Sequence, residues 1–74
     1  MDIKWEKEDN KEYTRQTTTL GNYKFCVARN RKTEIVQWGY WKMGMDEDNF
    51  LRCKSIRVGK ELVAKMMGEL ANVG

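Results

Sequence analysis

The apolar residues of this 74-residue chain change period once, and the change separates two kinds of backbone. From Tyr23 onward large apolar side chains recur at alternate positions, first Tyr23, Phe25 and Val27, then Val36, Trp38 and Tyr40. A period of two puts successive side chains on opposite faces of a pleated strand. From Lys60 the period lengthens to 3.6, and Leu62, Val63, Met66, Met67, Leu70 and Val73 fall on one stripe of a helix. Strands that precede a single helix define an α+β fold. One helix covers one face of a small sheet and leaves the other to water or to a ligand.

The remaining elements follow from local chemistry. Thr17, Thr18 and Thr19 favour extended backbone over Tyr13–Leu20, because β-branched side chains suit a pleated surface. Gly21-Asn22 marks a turn. The strand Tyr23–Arg29 turns Lys24, Cys26 and Ala28 away from its apolar face, and the polar loop Asn30–Thr33 leads to a second strand, Ile35–Lys42. These two form an antiparallel hairpin, with Ile35, Gln37 and Trp41 opposite Val36, Trp38 and Tyr40. Met43–Asn49, with Asp46, Glu47 and Asp48, reads as an exposed loop. A further strand is expected over Phe50–Val58, with Arg52, Lys54 and Ser55 at or near its exposed face, and Gly59 ends it. Gly68 weakens the helix by about 1 kcal/mol relative to alanine, either to admit a partner helix or as a tolerated imperfection. Residues 1–12 carry charges of both signs around one large apolar side chain, Trp5, and read as a flexible arm ahead of a single binding domain over residues 13–74.

A single core of this size rarely gives more than ~3–5 kcal/mol, so small folds take support from disulfides, metals or oligomerisation. Cys26 and Cys53 are the only cysteines, and histidine is absent. Two distant cysteines lack zinc-site spacing. Reduced thiols in a reducing cytosol are expected, with a Cys26–Cys53 bridge as the alternative. Oligomerisation remains, and a homodimer is the expectation. No apolar run approaches the ~20 residues that span a bilayer, and Met1–Glu12 holds no signal-peptide hydrophobic region, so a soluble, cytoplasmic protein is expected.

The net charge of +3 is unevenly placed. Met1–Thr14 carries −2, Arg15–Arg57 carries +5 and Val58–Gly74 is neutral. The basic segment also holds most of the aromatics, the composition of a nucleic-acid surface. Enzymatic roles find little support. There is no histidine for acid–base work, no glycine-rich phosphate loop, and no partner to activate either cysteine. No cofactor and no metal are expected. Asp46, Glu47 and Asp48 are read as a solvated tip, because a divalent-cation site needs further oxygen ligands.

What remains is a basic and aromatic set: Lys24, Arg29, Arg31 and Lys32 on or beyond the first hairpin strand, Trp38, Tyr40, Trp41 and Lys42 on the second, and Arg52 and Lys54 on the next. Single-stranded nucleic acid needs this mixture, since cations track phosphates while ring faces stack on unpaired bases at ~1–3 kcal/mol each. One helical stripe cannot cover three large aromatics on one strand, so at least one is exposed or buried by a second subunit. Nucleic-acid contacts are therefore expected at Lys24, Arg29, Arg31, Lys32, Trp38, Trp41, Lys42, Arg52 and Lys54. The dimer interface is expected along Leu62, Val63, Met66, Met67 and Leu70.

From Leu20 to Leu70 the order of residues resembles the C-terminal domain of positive cofactor four, a single-stranded-DNA-binding transcriptional coactivator. The resemblance runs through Leu20-Gly21, the Val27-Ala28-Arg29-Asn30 turn, the Tyr40-Trp41 pair, an acidic loop, Lys54-Ser55-Ile56, and Val63, Met66 and Leu70 in the register of that family's helix. It implies a curved four-stranded antiparallel sheet, one C-terminal helix, and a dimer that holds single strands on both sheets. It also implies that Trp41 stacks on a base while Lys24, Arg29, Lys32 and Lys54 contact phosphates or bases. Arg31 stands where the family has a stacking phenylalanine, and a guanidinium plane can also stack. The family's Ser- and Lys-rich regulatory region has no counterpart in this sequence, so a bacterial or phage protein serving transcription, replication or recombination is expected, with replication or transcription proteins as partners. Single-stranded RNA is a second candidate ligand. A small protein-interaction module, such as a phage-encoded modulator of a host factor, is the alternative from another class, because exposed aromatics and arginines also form protein hot spots.

Overall fold

The computed structural model describes residues 3–45 and 50–73, the side chain of Val73 excepted. The loop expected at Asp46, Glu47 and Asp48 lies outside the described residues. Five strands, β1 (Glu6–Asp9), β2 (Tyr13–Leu20), β3 (Tyr23–Asn30), β4 (Val36–Lys42) and β5 (Phe50–Cys53), precede one helix, α1 (Ile56–Val73). The strands form a single antiparallel sheet in sequence order. An antiparallel sheet followed by a C-terminal helix is the expected α+β class, with one strand more than the expected four.

The additional strand comes from the segment read as a flexible arm. Asn10 makes the turn that folds it back: its side-chain oxygen accepts hydrogen bonds from the backbone N–H of Glu12 (2.8 Å) and Tyr13 (2.9 Å), and its own N–H donates to the Tyr13 carbonyl at 3.0 Å. Such a side chain mimics a backbone turn. β1 then pairs with β2 over Glu6↔Thr17 to Asp9↔Thr14. Arg15 Nη2 donates to Glu8 Oε2 at 2.7 Å, and the Thr14 hydroxyl donates to Asp9. Ahead of the strand, Ile3 and Trp5 pack against the core, and the Lys60 ammonium lies 5.4 Å from the centre of the Trp5 ring.

A second correction concerns the end of the sheet. The strand expected over Phe50–Val58 stops at Cys53, and α1 begins at Ile56 rather than Lys60. Ser55 caps the helix: its hydroxyl accepts from the N–H of Val58 at 3.2 Å, while its carbonyl accepts the N–H of Gly59 at 2.9 Å. Gly59 does not break the pattern. It lies in the helix where α1 crosses β3, and a Cβ placed there would stand 2.7 Å from Val27 Cγ1 and 3.2 Å from Cys53 Sγ. Only a residue without a side chain allows so close an approach.

The helix packs on β3, β4 and β5. Phe25, Val27, Val36, Trp38, Val63 and Met67 form the buried cluster, with Ile56, Leu62, Met66 and Leu70 partly buried against it. The expected stripe is therefore the packing face, extended one turn toward the N-terminus. Strand register accounts for the cysteines. Cys26 alternates with Phe25 and Val27 and so faces away from the helix, whereas Cys53 pairs with Val36 on the helix side. The two thiols lie on opposite faces of the sheet, and no disulfide joins them. Burial raises the pKa of the Cys53 thiol, with its hydrogen bond to the Ser55 carbonyl (3.4 Å) acting in the opposite sense.

Candidate nucleic-acid interface

Register sorts the basic and aromatic residues between the two faces. On the face away from the helix, side chains stand in rows across the strands. Thr19, Lys24 and Trp41 form one row, and Thr17, Cys26, Gly39 and Phe50 the next. Arg15, Ala28, Gln37 and Arg52 form a third. Among the described residues no element packs over these rows, for α1 lies on the other side.

Lys24 and Trp41 are direct cross-strand partners and both are half-buried. The Trp41 ring lies 6.2 Å from that of Phe50, tilted by 51°. Lys24 and Trp41 line a hollow of about 610 Å³ together with Glu6, Thr17, Thr19 and Met43, and the hollow reaches round the sheet to Ile3, Thr18 and Met67 of the helix side. A second hollow, of about 480 Å³, opens beside it, with Cys26 and Ala28 among its lining and with Tyr13, Arg15, Gln37 and Phe50 around it. Arg52 continues the row of Arg15 and Gln37 and is exposed. Half-buried rings beside cations on an uncovered sheet face can stack bases and hold phosphates together.

The other candidates lie elsewhere. Trp38 is a correction: it is 7 % exposed and belongs to the core, because its place in β4 turns it under the helix with Val36 and Tyr40. Its indole is therefore not a stacking platform. Arg29 and Lys54 lie with Arg57 and one acid, Glu34, around a hollow of about 420 Å³ at the start of α1, a separate and mainly basic group. Arg31 and Lys32 are exposed in the β3–β4 loop. That loop is held by Asn30, whose side-chain oxygen accepts the N–H groups of Lys32 (2.9 Å) and Thr33 (3.0 Å), and it closes through Glu34 at a φ of 62°. Arg31 pairs with Asp9 of β1 at 3.5 Å. Lys42 is exposed at the end of β4 opposite Tyr23. Of the residues expected at a dimer interface, Val63 and Met67 are buried against the chain's own sheet, which leaves Leu62, Met66 and Leu70 half-exposed along α1.

Tyr13, Arg15, Gln37 and Phe50 escaped the reading of the sequence as binding residues. They come from three strands far apart in sequence, and only the register brings them to one cleft. Of the acids of β1, Glu6 and Glu8 fall in the rows of this face, beside Thr17 and Arg15, while Asp9 pairs with Thr14 of the other. Glu8 holds Arg15, whose pKa this hydrogen bond raises further, and Asp9 is held below its ordinary value of 3.8 mainly by the Thr14 hydroxyl, with Lys7 and Arg31 adding to the effect. No group of three or more Cys, Asp and Glu side chains converges among the described residues. No helix among them is long and apolar enough to cross a membrane.

Compared with protein-family models, curated proteins and solved structures, the chain has no match in any of the three. The likeness to the coactivator domain thus rests on the order of the residues quoted above.

Proposed function

We propose that this protein binds single-stranded nucleic acid, DNA in the first place, with low sequence specificity and without enzymatic activity. The observation that carries this reading is the Lys24–Trp41 cross-strand pair, with Phe50 in ring contact and Arg52 two rows away, on a sheet face that α1 leaves uncovered. Bases stack on Trp41 and Phe50 while Lys24, Arg52 and the loop lysine Lys32 neutralise phosphates. Arg29, Lys54 and Arg57 form a second basic group that a longer strand reaches around the sheet edge. The protein works as a homodimer joined along α1, through Leu62, Met66 and Leu70, in the cytoplasm of a bacterial or phage-infected cell. Its setting is transcription, replication or recombination, as in the coactivator family that the sequence resembles.

Fluorescence anisotropy tests this with a labelled strand of about 20 nucleotides, longer than the ~4–16 that a small single-strand-binding fold covers. Each neutralised phosphate contributes about −0.7 to the slope of log affinity against log salt, so three contacts give a slope near −2. The matching duplex is expected to compete poorly. Absence of binding at low salt would remove the reading, and a matched RNA strand that competes better than DNA would transfer it to RNA.

A second reading has its own observation. Leu51, Met43 and Met45 are 61 %, 50 % and 67 % exposed, and large exposed apolar side chains suit a protein partner. Capture of one protein partner that survives nuclease and high salt would favour this reading.

A further inference from the structure

We infer that the outer edge of β5 is an interface for a second copy of this chain, with Leu51 set against the partner's Leu51 and Phe50 against the partner's Arg52. This rests on the homodimer of the strand-binding reading and deepens it, because it names the strand that joins the copies and brings the partner's Arg52 to the uncovered face.

The backbone decides which residues can pair. At the ends of β4, the Asn30 N–H donates to the Ile35 carbonyl at 2.9 Å and the Met43 N–H to the Asn22 carbonyl at 2.7 Å. Odd-numbered residues of β4 therefore turn their backbone groups to β3, while Val36 and Trp38 turn theirs to β5. Cys53 and Leu51 answer them, so Phe50 and Arg52 point their N–H and C=O groups outward. Among the described residues no strand meets them there, since β5 is last in the sheet order. A two-fold axis normal to the sheet sets β5 antiparallel to the partner's β5, with both helices on one side. Residues opposite each other then share a face, and outward-turned groups must meet outward-turned groups. Centring the pair on Leu51 meets both conditions over Phe50–Arg52. Phe50 and the partner's Arg52 exchange both N–H···O bonds, and Arg52 does the same with the partner's Phe50. Centring it on Phe50 or on Arg52 leaves a single such pair within the strand, and the Arg52 register also sets like charges directly opposite.

The side chains suit the same register. Leu51 pairs with Trp38 and so lies on the helix side, yet it is 61 % exposed. Opposed to itself it forms a non-hydrogen-bonded pair, with Cα atoms ~4.5 Å apart, and both leucines leave water. They meet the flank of α1 beside β5. With Val63 facing the sheet, a turn of ~100° per residue puts Lys60 on one flank and Met66 and Leu62 on the other. Lys60 lies over Trp5, ahead of β1, which leaves the half-exposed Leu62 and Met66 toward β5. On the uncovered face the partner's Arg52 stands beside Phe50 as a cross-strand cation and ring, next to the contact of Phe50 with Trp41. Four residues with an arginine among them make β5 a poor template for unlimited strand addition, and a two-fold pairing uses each edge once. The joined sheet then has β1 at both borders, each with its exposed charged residues.

The test uses the full chain without nucleic acid. Sedimentation is expected to give twice the chain mass at high concentration. The Phe50 and Arg52 amides are expected to exchange about tenfold or more slower there than after dilution to single chains. Leu51→Lys is expected to restore the single-chain mass with the circular dichroism retained, because most of the Leu51 side chain is outside the core of one chain. Mild oxidation gives a second readout. Leu51→Cys in a Cys53→Ser chain is expected to cross-link to its own copy, as the short Cα separation allows, whereas Arg52→Cys in the same chain is not. A doubled mass with Phe50 and Arg52 amides that exchange alike at both concentrations would overturn the β5 edge and leave a dimer joined through α1 alone. A doubled mass that persists in Leu51→Lys would do the same. A single-chain mass at every concentration would overturn the inference and the homodimer with it, while anisotropy judges strand binding separately. A mass that rises past two copies would overturn the two-fold pairing.

Discussion

Gly59 and Gly68 are chemically alike and sit in the same helix, yet opposite outcomes are expected when each becomes alanine. A Cβ on Gly59 meets the buried Val27 side chain at 2.7 Å, and Val27 has no flexible end to yield. Overpacking costs about 1–3 kcal/mol, of which improved helix propensity returns at most about 1. Nothing lies within 4 Å of a Cβ on Gly68, so Gly68→Ala is expected to stabilise by about 0.5–1 kcal/mol. Denaturant titration of the two variants reads both signs, and neither a dimer contact nor a sheet contact is then needed to explain Gly68. The same separation of roles applies on the other face. Trp41→Ala is expected to weaken strand binding by about 1–3 kcal/mol with an unchanged salt slope, since it removes stacking and no charge. Lys24→Ala, its cross-strand partner, is expected to lower the slope by about 0.7. Anisotropy titrations over a salt series distinguish the two.

Among the elements, β1 is the one whose stability follows acid pH. Asp9 titrates below its ordinary value because the Thr14 hydroxyl, Lys7 and Arg31 all favour its charged form. A depressed carboxylate contributes fully above its unfolded value and loses that contribution as pH falls through the folded value. Amide exchange in β1 is therefore expected to quicken in that acid range before exchange in β3 does. Thr14→Val is expected to move the Asp9 carboxyl back toward 3.8, as followed by its carbon resonance. β1 was also the element hidden in the sequence. Glu6, Lys7, Glu8 and Asp9 are charged on both faces, so no apolar alternation marks them, and the signal lay in the Asn10 turn and in the pairing of Glu8 with Arg15. The border of β5 and α1 was misplaced for another reason. Ile56 and Val58 are β-branched and read as strand, while the Ser55 cap and the 3.6 spacing from Ile56 through Gly59 to Val63 pointed to helix. β2, β3, β4 and the body of α1 were legible because one face of each is buried and its pattern repeats. Alternation likewise separated Trp41 from Tyr40, but both faces of β4 carry rings, and the sequence alone did not say that Trp38 would be core.

As a whole the molecule is one sheet and one helix, 39 by 25 by 20 Å, and the smallest extent is that of two stacked layers. Such a body has a broad uncovered face for its size, which suits a ligand spread along a surface better than one enclosed in a core. The proposed dimer belongs to this scale. Sedimentation is expected to give twice the chain mass, and Leu62→Glu is expected to return the single-chain mass with the circular dichroism of the fold retained. The outermost strands bear on the molecule in another way. β2 carries the uncharged run Thr17, Thr18 and Thr19, and its outer row of N–H and C=O groups would be a template for strand addition if it were bare. β1 occupies that row from Thr14 to Thr17 and presents four exposed charged residues in its place. At the opposite border β5 is only four residues long and carries Arg52. The charged hairpin at the N-terminus thus shields part of an edge open to fibrous growth, and a chain trimmed of β1 is expected to add sheets edge to edge more readily.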